Sequence, residues 1–95
     1  MVYEWSSGKA AANRKRHGIS FEDAVTVFLD PLALTYPDPD HSVDERQEIT
    51  IGHTIRQEFV FVSHCDRGDR IRIISARLAT RAERHQYEEG IDEGI

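Results

Sequence analysis

The side chains best suited to chemistry in this sequence are cations and one titratable ring. Arg77, Arg46, His17 and Lys9 are the catalytic candidates, and Arg70, Arg72 and Arg81 are candidates for holding phosphates. Such a set fits cleavage of an RNA phosphodiester without a metal. In that reaction a 2′-hydroxyl attacks the adjacent phosphorus and a base accepts its proton. An acid then protonates the departing 5′-oxygen, and fixed cations stabilise the negative phosphorane between the two steps. Arginine offers a planar fork of donors to phosphate oxygens, and histidine exchanges protons near neutral pH.

Each residue also has a plainer role. Arg77 closes a strand-like run just before a helix, a common place for site residues, but a structural salt bridge would also fix it there. Arg46 stands between an acidic stretch and a strand and could pair with Glu45 or Glu48. His17 can serve as general acid or base, or cap its own helix by presenting a cation or donor at the C-terminus. Lys9 falls at a helix start, where a cation opposes the macrodipole, so a ligand or partner explains it better than helix stability does. A solvated surface accounts nearly as well for Arg70, Arg72 and Arg81. Tyr3 and Trp5 could stack a base, although packing against the first helix is the simpler reading.

Other chemistries lack their signatures. There is no phosphate-loop pattern, no GxSxG, no paired cysteines and no HExxH helix. His41, His53 and His64 lie near carboxylates but without tight ligand spacing, so neither a metal nor another cofactor is expected. Cys65 is the one cysteine, which rules out an internal disulfide, and it is expected to be inert.

The elements that must position these residues read as α+β. Val2, Tyr3 and Trp5 suggest a short strand, and Ser6 and Ser7 can cap a helix over about Gly8 to Arg16, with Gly18 as its left-handed terminator. Ser20 restarts a helix with Asp23 three residues on. Phe21, Ala24, Val25 and Phe28 give it one buried stripe, and Asp30 and Pro31 stop it. LALTY, QEITIGHT, EFVFVSHC and RIRIISAR then read as an antiparallel meander, with the acidic loop PDPDHSVDE after the first and the Gly of DRGD in a tight hairpin. In the last of these strands, alternation puts Ile71 and Ile73 on one face and Arg70 and Arg72 on the other. Thr80 and Glu83 form a capping box for a final helix to about Glu89, ended by Gly90, with a thin apolar stripe of Ala82 and Tyr87. The expected fold is an antiparallel sheet of about four to five strands with two N-terminal helices and one C-terminal helix. It forms a single domain over residues 1–89 with a flexible tail at 90–95. Phe21, Phe28, Phe59, Phe61, Ile71 and Ile73 are its expected core.

Ninety-five residues suit one domain. No run approaches the roughly 20 apolar residues of a membrane span, and no apolar leader opens the chain, so the cytoplasm is the expected compartment. A net charge of −5 disfavours nucleic acid at first sight, but the charge is segregated: +3 over residues 1–20, −7 over 21–48, −1 over 49–69, +4 over 70–87 and −4 over 88–95. A fold that brings residues 9–17 and 70–81 together would build a basic surface on an acidic body. The acidic loop could attract a cationic partner segment or simply be solvated.

The run EWSSGKAAANRKRHGISFEDAVTVFLDP resembles the opening of the BrnT family of toxins. There an aromatic and acidic strand leads to a helix carrying Lys, Asn and a terminal HG, and then to an S-F-E-x-A helix. Asp44-Glu45-Arg46, Ile51-Gly52 and RIISAR from Arg72 to Arg77, followed by TRAER, are similar to its later motifs in the same order, so the likeness spans about residues 2–88. HGISFEDA together with RIISAR is the specific part. Ser6 stands where the family often has Asp and keeps the cap role. The resemblance implies a RelE-like fold and a metal-independent ribonuclease that inhibits translation and growth. It also implies a cognate, BrnA-like DNA-binding antitoxin as partner. Two alternatives stay open: a non-enzymatic partner-binding subunit or co-repressor of the same fold, and a metal-dependent nuclease.

Overall fold

The structure, a computed structural model, describes residues 1–38 and 46–93, with the backbone alone for 90–93. The His41 and Asp44-Glu45 readings, and most of the acidic loop, fall outside the described residues. A strand β1 (Val2–Glu4) leads into helix α1 (Ser7–His17), a single α-turn α2 (Phe21–Ala24) and a 3-10 helix (Val25–Leu29). Strands β2 (Leu34–Pro37), β3 (Gln47–His53), β4 (Phe59–Asp66) and β5 (Arg70–Leu78) follow, and helix α3 (Arg81–Glu93) closes the chain. The five strands lie in the order β1-β5-β4-β3-β2. β2 to β5 form the expected antiparallel meander, and β1 adds itself in parallel to the outer edge of β5 through Arg70–Arg72.

The local signals act where the sequence places them. The Ser6 hydroxyl accepts from the Lys9 N–H at 3.3 Å and the Ser20 hydroxyl from the Asp23 N–H at 3.1 Å, each satisfying a helix donor that would otherwise be orphaned. Gly18 takes φ 75° and returns its N–H to Arg14 O at 2.8 Å, a left-handed exit that a side chain would strain.

Two helices differ from expectation. The second is not one α-helix: after Ala24 it tightens to 3-10. Val25, Thr26 and Val27 are β-branched, and the Thr26 hydroxyl donates to Asp23 O at 2.6 Å. The fully buried positions are therefore Phe21, Ala24 and Val27, three apart as 3-10 geometry requires, while Val25 and Phe28 pack at the margin. Helix α3 runs through Gly90 to Glu93, beyond the end expected at Glu89. Ala82 is exposed, and Tyr87 alone of the proposed stripe is buried.

Two cores result. Toward α1 and the 3-10 helix, Ile19, Phe21, Ala24, Val27, Val60, Val62, Ile73 and Ala76 form the larger one, with Ile71 half-buried at its rim. On the opposite face, Tyr87 of α3 packs on Ile51 and Phe59, with Phe61 half-buried beside them. Tyr3 and Trp5 pack rather than stand free. Their ring partners, Phe28 at 5.3 Å and Phe21 at 5.9 Å, lie in the second helical segment rather than in α1. Gly52 permits a close approach. A Cβ there would meet Ala33 Cβ and Asp30 Oδ2 at 3.0 Å and Val27 Cγ2 at 3.1 Å, so a larger residue would force these neighbours to shift.

Candidate active site

An irregularity in β5 creates the site. Ser63 of β4 pairs with Ser75, but the next residue, His64, pairs with Ile73, so Ile74 is an extra residue and forms a β-bulge. Strict alternation would send Arg72 and Arg77 to opposite faces. The bulge resets the phase, placing Arg72 beside Cys65, Ser75 beside Ser63 and Arg77 beside Phe61, all on the face away from α1.

Arg77 lies flat, its guanidinium carbon 3.9 Å from the centre of the Phe61 ring. Nη1 and Nη2 each donate to one oxygen of Glu83 at 2.8 Å, and Nη1 also donates to Leu78 O at 3.2 Å. The Nε–H and the second hydrogen of Nη2 have no partner among the described residues. Glu83 is itself held by the capping box: Thr80 N–H donates to its Oε1 at 2.8 Å, and its own N–H donates to the Thr80 hydroxyl at 3.2 Å. The Glu83 hydrogen bond raises the arginine's pKa. Burial alone would raise that of Glu83, but the donors from Arg77 and Thr80 outweigh it and hold the carboxylate ionised. Burial and the Glu83 charge push the nearby Tyr36 phenol up.

Arg77 lines a cleft of about 430 Å3 with Asp38, Gln47, Ile49, Phe61, Ser63, Ile74 and Ser75. Glu83, on α3, grips the guanidinium through both Nη atoms, while Arg77 itself lines the cleft. Beyond Arg72 the edge of β5 has no strand neighbour, and α1 takes its place through one side chain. The buried Asn13 carboxamide accepts from Ala76 N–H at 3.0 Å and donates to Ala76 O at 2.9 Å and to Ile19 O at 3.0 Å. This two-point pairing imitates a strand and fixes α1 against β5 between Ser75 and Arg77.

A second hollow, of about 250 Å3, opens beside that contact and is lined by Lys9, Ala12, Asn13, Arg16, His17, Ile74 and Ser75. Ile74 and Ser75 belong to both hollows, so the two adjoin across the bulge. The structure thus brings Lys9 and His17 to one side of Ser75 and Arg77 to the other. Arg72 shares the open face, and its Nε is buried without a partner among the described residues. Arg70 is exposed at the opposite end of β5, paired with Glu4 at 3.5 Å and Asp69 at 3.7 Å. Arg46 is exposed one residue before Gln47, and Arg81 is exposed at the first position of α3; neither lines the hollows. Sequence reasoning missed Asn13, Arg16, Ser63 and Ser75. The spacing of Lys9, Asn13 and Arg16 on one helix face is the signal that points to the first two. Among the described residues no three His, Cys, Asp or Glu side chains converge as metal ligands.

A family model described as "Ribonuclease toxin, BrnT, of type II toxin-antitoxin system" matches residues 5–83. The chain belongs to this family. The BrnT match takes in α1, the bulged strand and Glu83, and so contains every residue of the two hollows. The 1.1 Å crystal structure of the Brucella abortus ribonuclease toxin BrnT is similar to it, with a TM-score of 0.68 and 23% identity over 85% of this chain and 100% of that one. That likeness is one of fold, and the expected α+β, RelE-like class agrees with it. No curated protein sequence matches the chain. As a BrnT toxin the chain has an antitoxin partner, and none of its described helices is long and apolar enough to cross a membrane.

Proposed function

We propose that this BrnT chain cleaves RNA in the cytoplasm without a metal, at the two hollows joined by Ile74 and Ser75, and so inhibits translation and growth. The observation that carries the reading is the bulge at Ile74. It turns Arg77 onto the open face beside the Lys9 and His17 hollow, assembling cations from a helix and a strand far apart in sequence. Arg77 holds the scissile phosphate through the Nε–H and Nη2 edge that has no partner among the described residues, while Phe61 and Glu83 fix the guanidinium in place. Charge that develops on the phosphorane strengthens this contact beyond its ground-state value. His17 takes the proton of the 2′-hydroxyl, water protonates the departing 5′-oxygen, and Lys9 and Arg16 balance the negative charge. The P–O5′ bond breaks as the 2′-oxygen bonds to phosphorus, leaving a cyclic phosphate and a free 5′-hydroxyl. Arg46, Arg72 and Arg81 line neither hollow and are assigned contacts with the flanking backbone rather than with the reacting atoms, and Arg70, paired with Glu4 and Asp69, stands farther along β5. The partner is a BrnA-like DNA-binding antitoxin.

Incubating the purified chain with total RNA in excess chelator tests this. Cleavage that persists is the expected result, and activity that vanishes on chelation and returns with a divalent ion would mark a metal-dependent nuclease. The occupied fork of Arg77 favours one other reading, a partner-binding subunit or co-repressor that does not cleave. A folded chain inert toward RNA and harmless on expression alone would establish it.

A further inference from the structure

Two large aliphatic side chains at one hollow stand open to solvent, Leu29 at 74% exposure and Ile55 at 65%, and Leu32, three residues after Leu29, is 49% exposed. Leu29 and Ile55 flank a hollow of about 280 Å3 that shares no lining residue with the two hollows around Ser75, and Asp30, His53 and Gln57 help to close it. The surface is held in shape. Ile55 N–H donates to the Thr26 hydroxyl at 3.0 Å, joining the β3–β4 turn to the 3-10 helix. Asp30 accepts from Leu32 N–H, His53 N–H and the Tyr87 hydroxyl, each at 2.9 Å, and so fixes the other wall. An apolar surface already ordered costs a partner little to bind, and covering each aliphatic side chain is favourable.

Its surroundings are acidic. Asp30 lines the hollow, Glu22 and Asp23 stand on the turn that leads into the 3-10 helix, and Glu58 follows the β3–β4 turn. The cation on the turn, Arg56, already faces Asp23 at 3.5 Å. Such a surface repels phosphates and attracts a chain that is apolar on one side and cationic on the other. A DNA-binding protein must carry such cations.

We propose that Leu29, Leu32 and Ile55, with the carboxylates around them, dock a cationic amphipathic segment of the antitoxin at a place separate from the RNA cleft. The proposal rests on the reading of the chain as a toxin paired with a DNA-binding antitoxin. Antitoxin binding and RNA cleavage are then separable by mutation.

The experiment compares the wild-type chain with Leu29→Glu/Ile55→Glu and with the milder Leu29→Ser/Ile55→Ser. Each is titrated with the purified cognate antitoxin and assayed for RNA cleavage. The expected result is affinity lower by on the order of 10²-fold in the Glu pair and less in the Ser pair, with wild-type cleavage rates showing that both are folded. Wild-type binding should also weaken as salt rises. Either pair binding the antitoxin as tightly as wild type would overturn the docking proposal while leaving the toxin reading intact. A wild-type chain that binds no antitoxin would overturn both. A wild-type dimer that the Glu pair dissociates would assign the surface to a second copy of the chain instead.

Discussion

On the face of the sheet toward α1, side chains from three strands and two helical segments close completely. Phe21, Ala24, Val27, Val60, Val62 and Ala76 have no exposed surface, and the one polar ring among them, His64, bonds the Thr50 hydroxyl at 2.7 Å. On the opposite face the same strands present Phe61, Ser63, Ser75 and Arg77, and α3 covers only the end over Ile51 and Phe59. The closed face supplies most of the stability and the half-covered face leaves room for a substrate. The residues differ in phase alone, so a one-residue bulge is enough to move an arginine from the first face to the second.

Truncation should separate the faces most strongly. Phe21→Ala is expected to lower the unfolding free energy by about 3–5 kcal/mol in urea titrations, and Phe61→Ala, half-buried beside the cleft, by roughly half as much. Equal losses would mean that the open face is as tightly packed as the closed one. Next comes the seam between α1 and β5. Asn13→Ala strands Ala76 N–H and two carbonyl oxygens, so a loss of about 1–3 kcal/mol is expected, with reduced RNA cleavage because Lys9 and His17 shift against Arg77. A variant of full stability and activity would remove Asn13 from the positioning scheme.

Acid probes the closed face through His64, whose pKa burial lowers to about 4. A folded value below the unfolded one means that the unfolded chain binds the proton first. The contribution is therefore fully present above about pH 6.5 and is lost as pH falls toward 4, at up to about 1.4 kcal/mol per pH unit. His64→Gln should remove that slope, and an unchanged slope would place the acid sensitivity elsewhere. The smallest effect is expected at the α3 anchor, where Tyr87→Phe loses one hydrogen bond to Asp30, about 1 kcal/mol. A much larger loss would show α3 to be as integral as the closed core.

What the sequence makes legible is what neighbouring residues decide. The Ser6, Ser20 and Thr80 caps, the Gly18 exit and the alternation of β3, β4 and the first residues of β5 depend on bonds within a few residues, and all are found. The bulge at Ile74 was not legible, because it is defined by which residue of β4 lies opposite; RIRIISAR alternates plausibly without it. Asn13 reads as one more polar helix residue until the unpaired edge of β5 is known. The 3-10 tightening is a tertiary preference that places Phe21, Ala24 and Val27 on the sheet, and Gly90 fails to end α3 because a glycine permits a left-handed turn without requiring one. At the site, Arg77 and Glu83 were both readable, one as a phosphate fork and the other as a cap. Their bidentate pairing follows only once α3 folds back on β5.

The rate of RNA cleavage by Arg77→Lys, measured in chelator beside wild type with folding checked by urea titration, tests the central claim most directly. Lysine keeps the charge but loses the planar guanidinium, whose fork pairs with Glu83 and whose remaining Nε–H edge is the one proposed to meet the phosphate. The account predicts a rate lower by on the order of 10²–10³ with substrate affinity little changed. A folded Arg77→Lys protein that cleaves at the wild-type rate would contradict it.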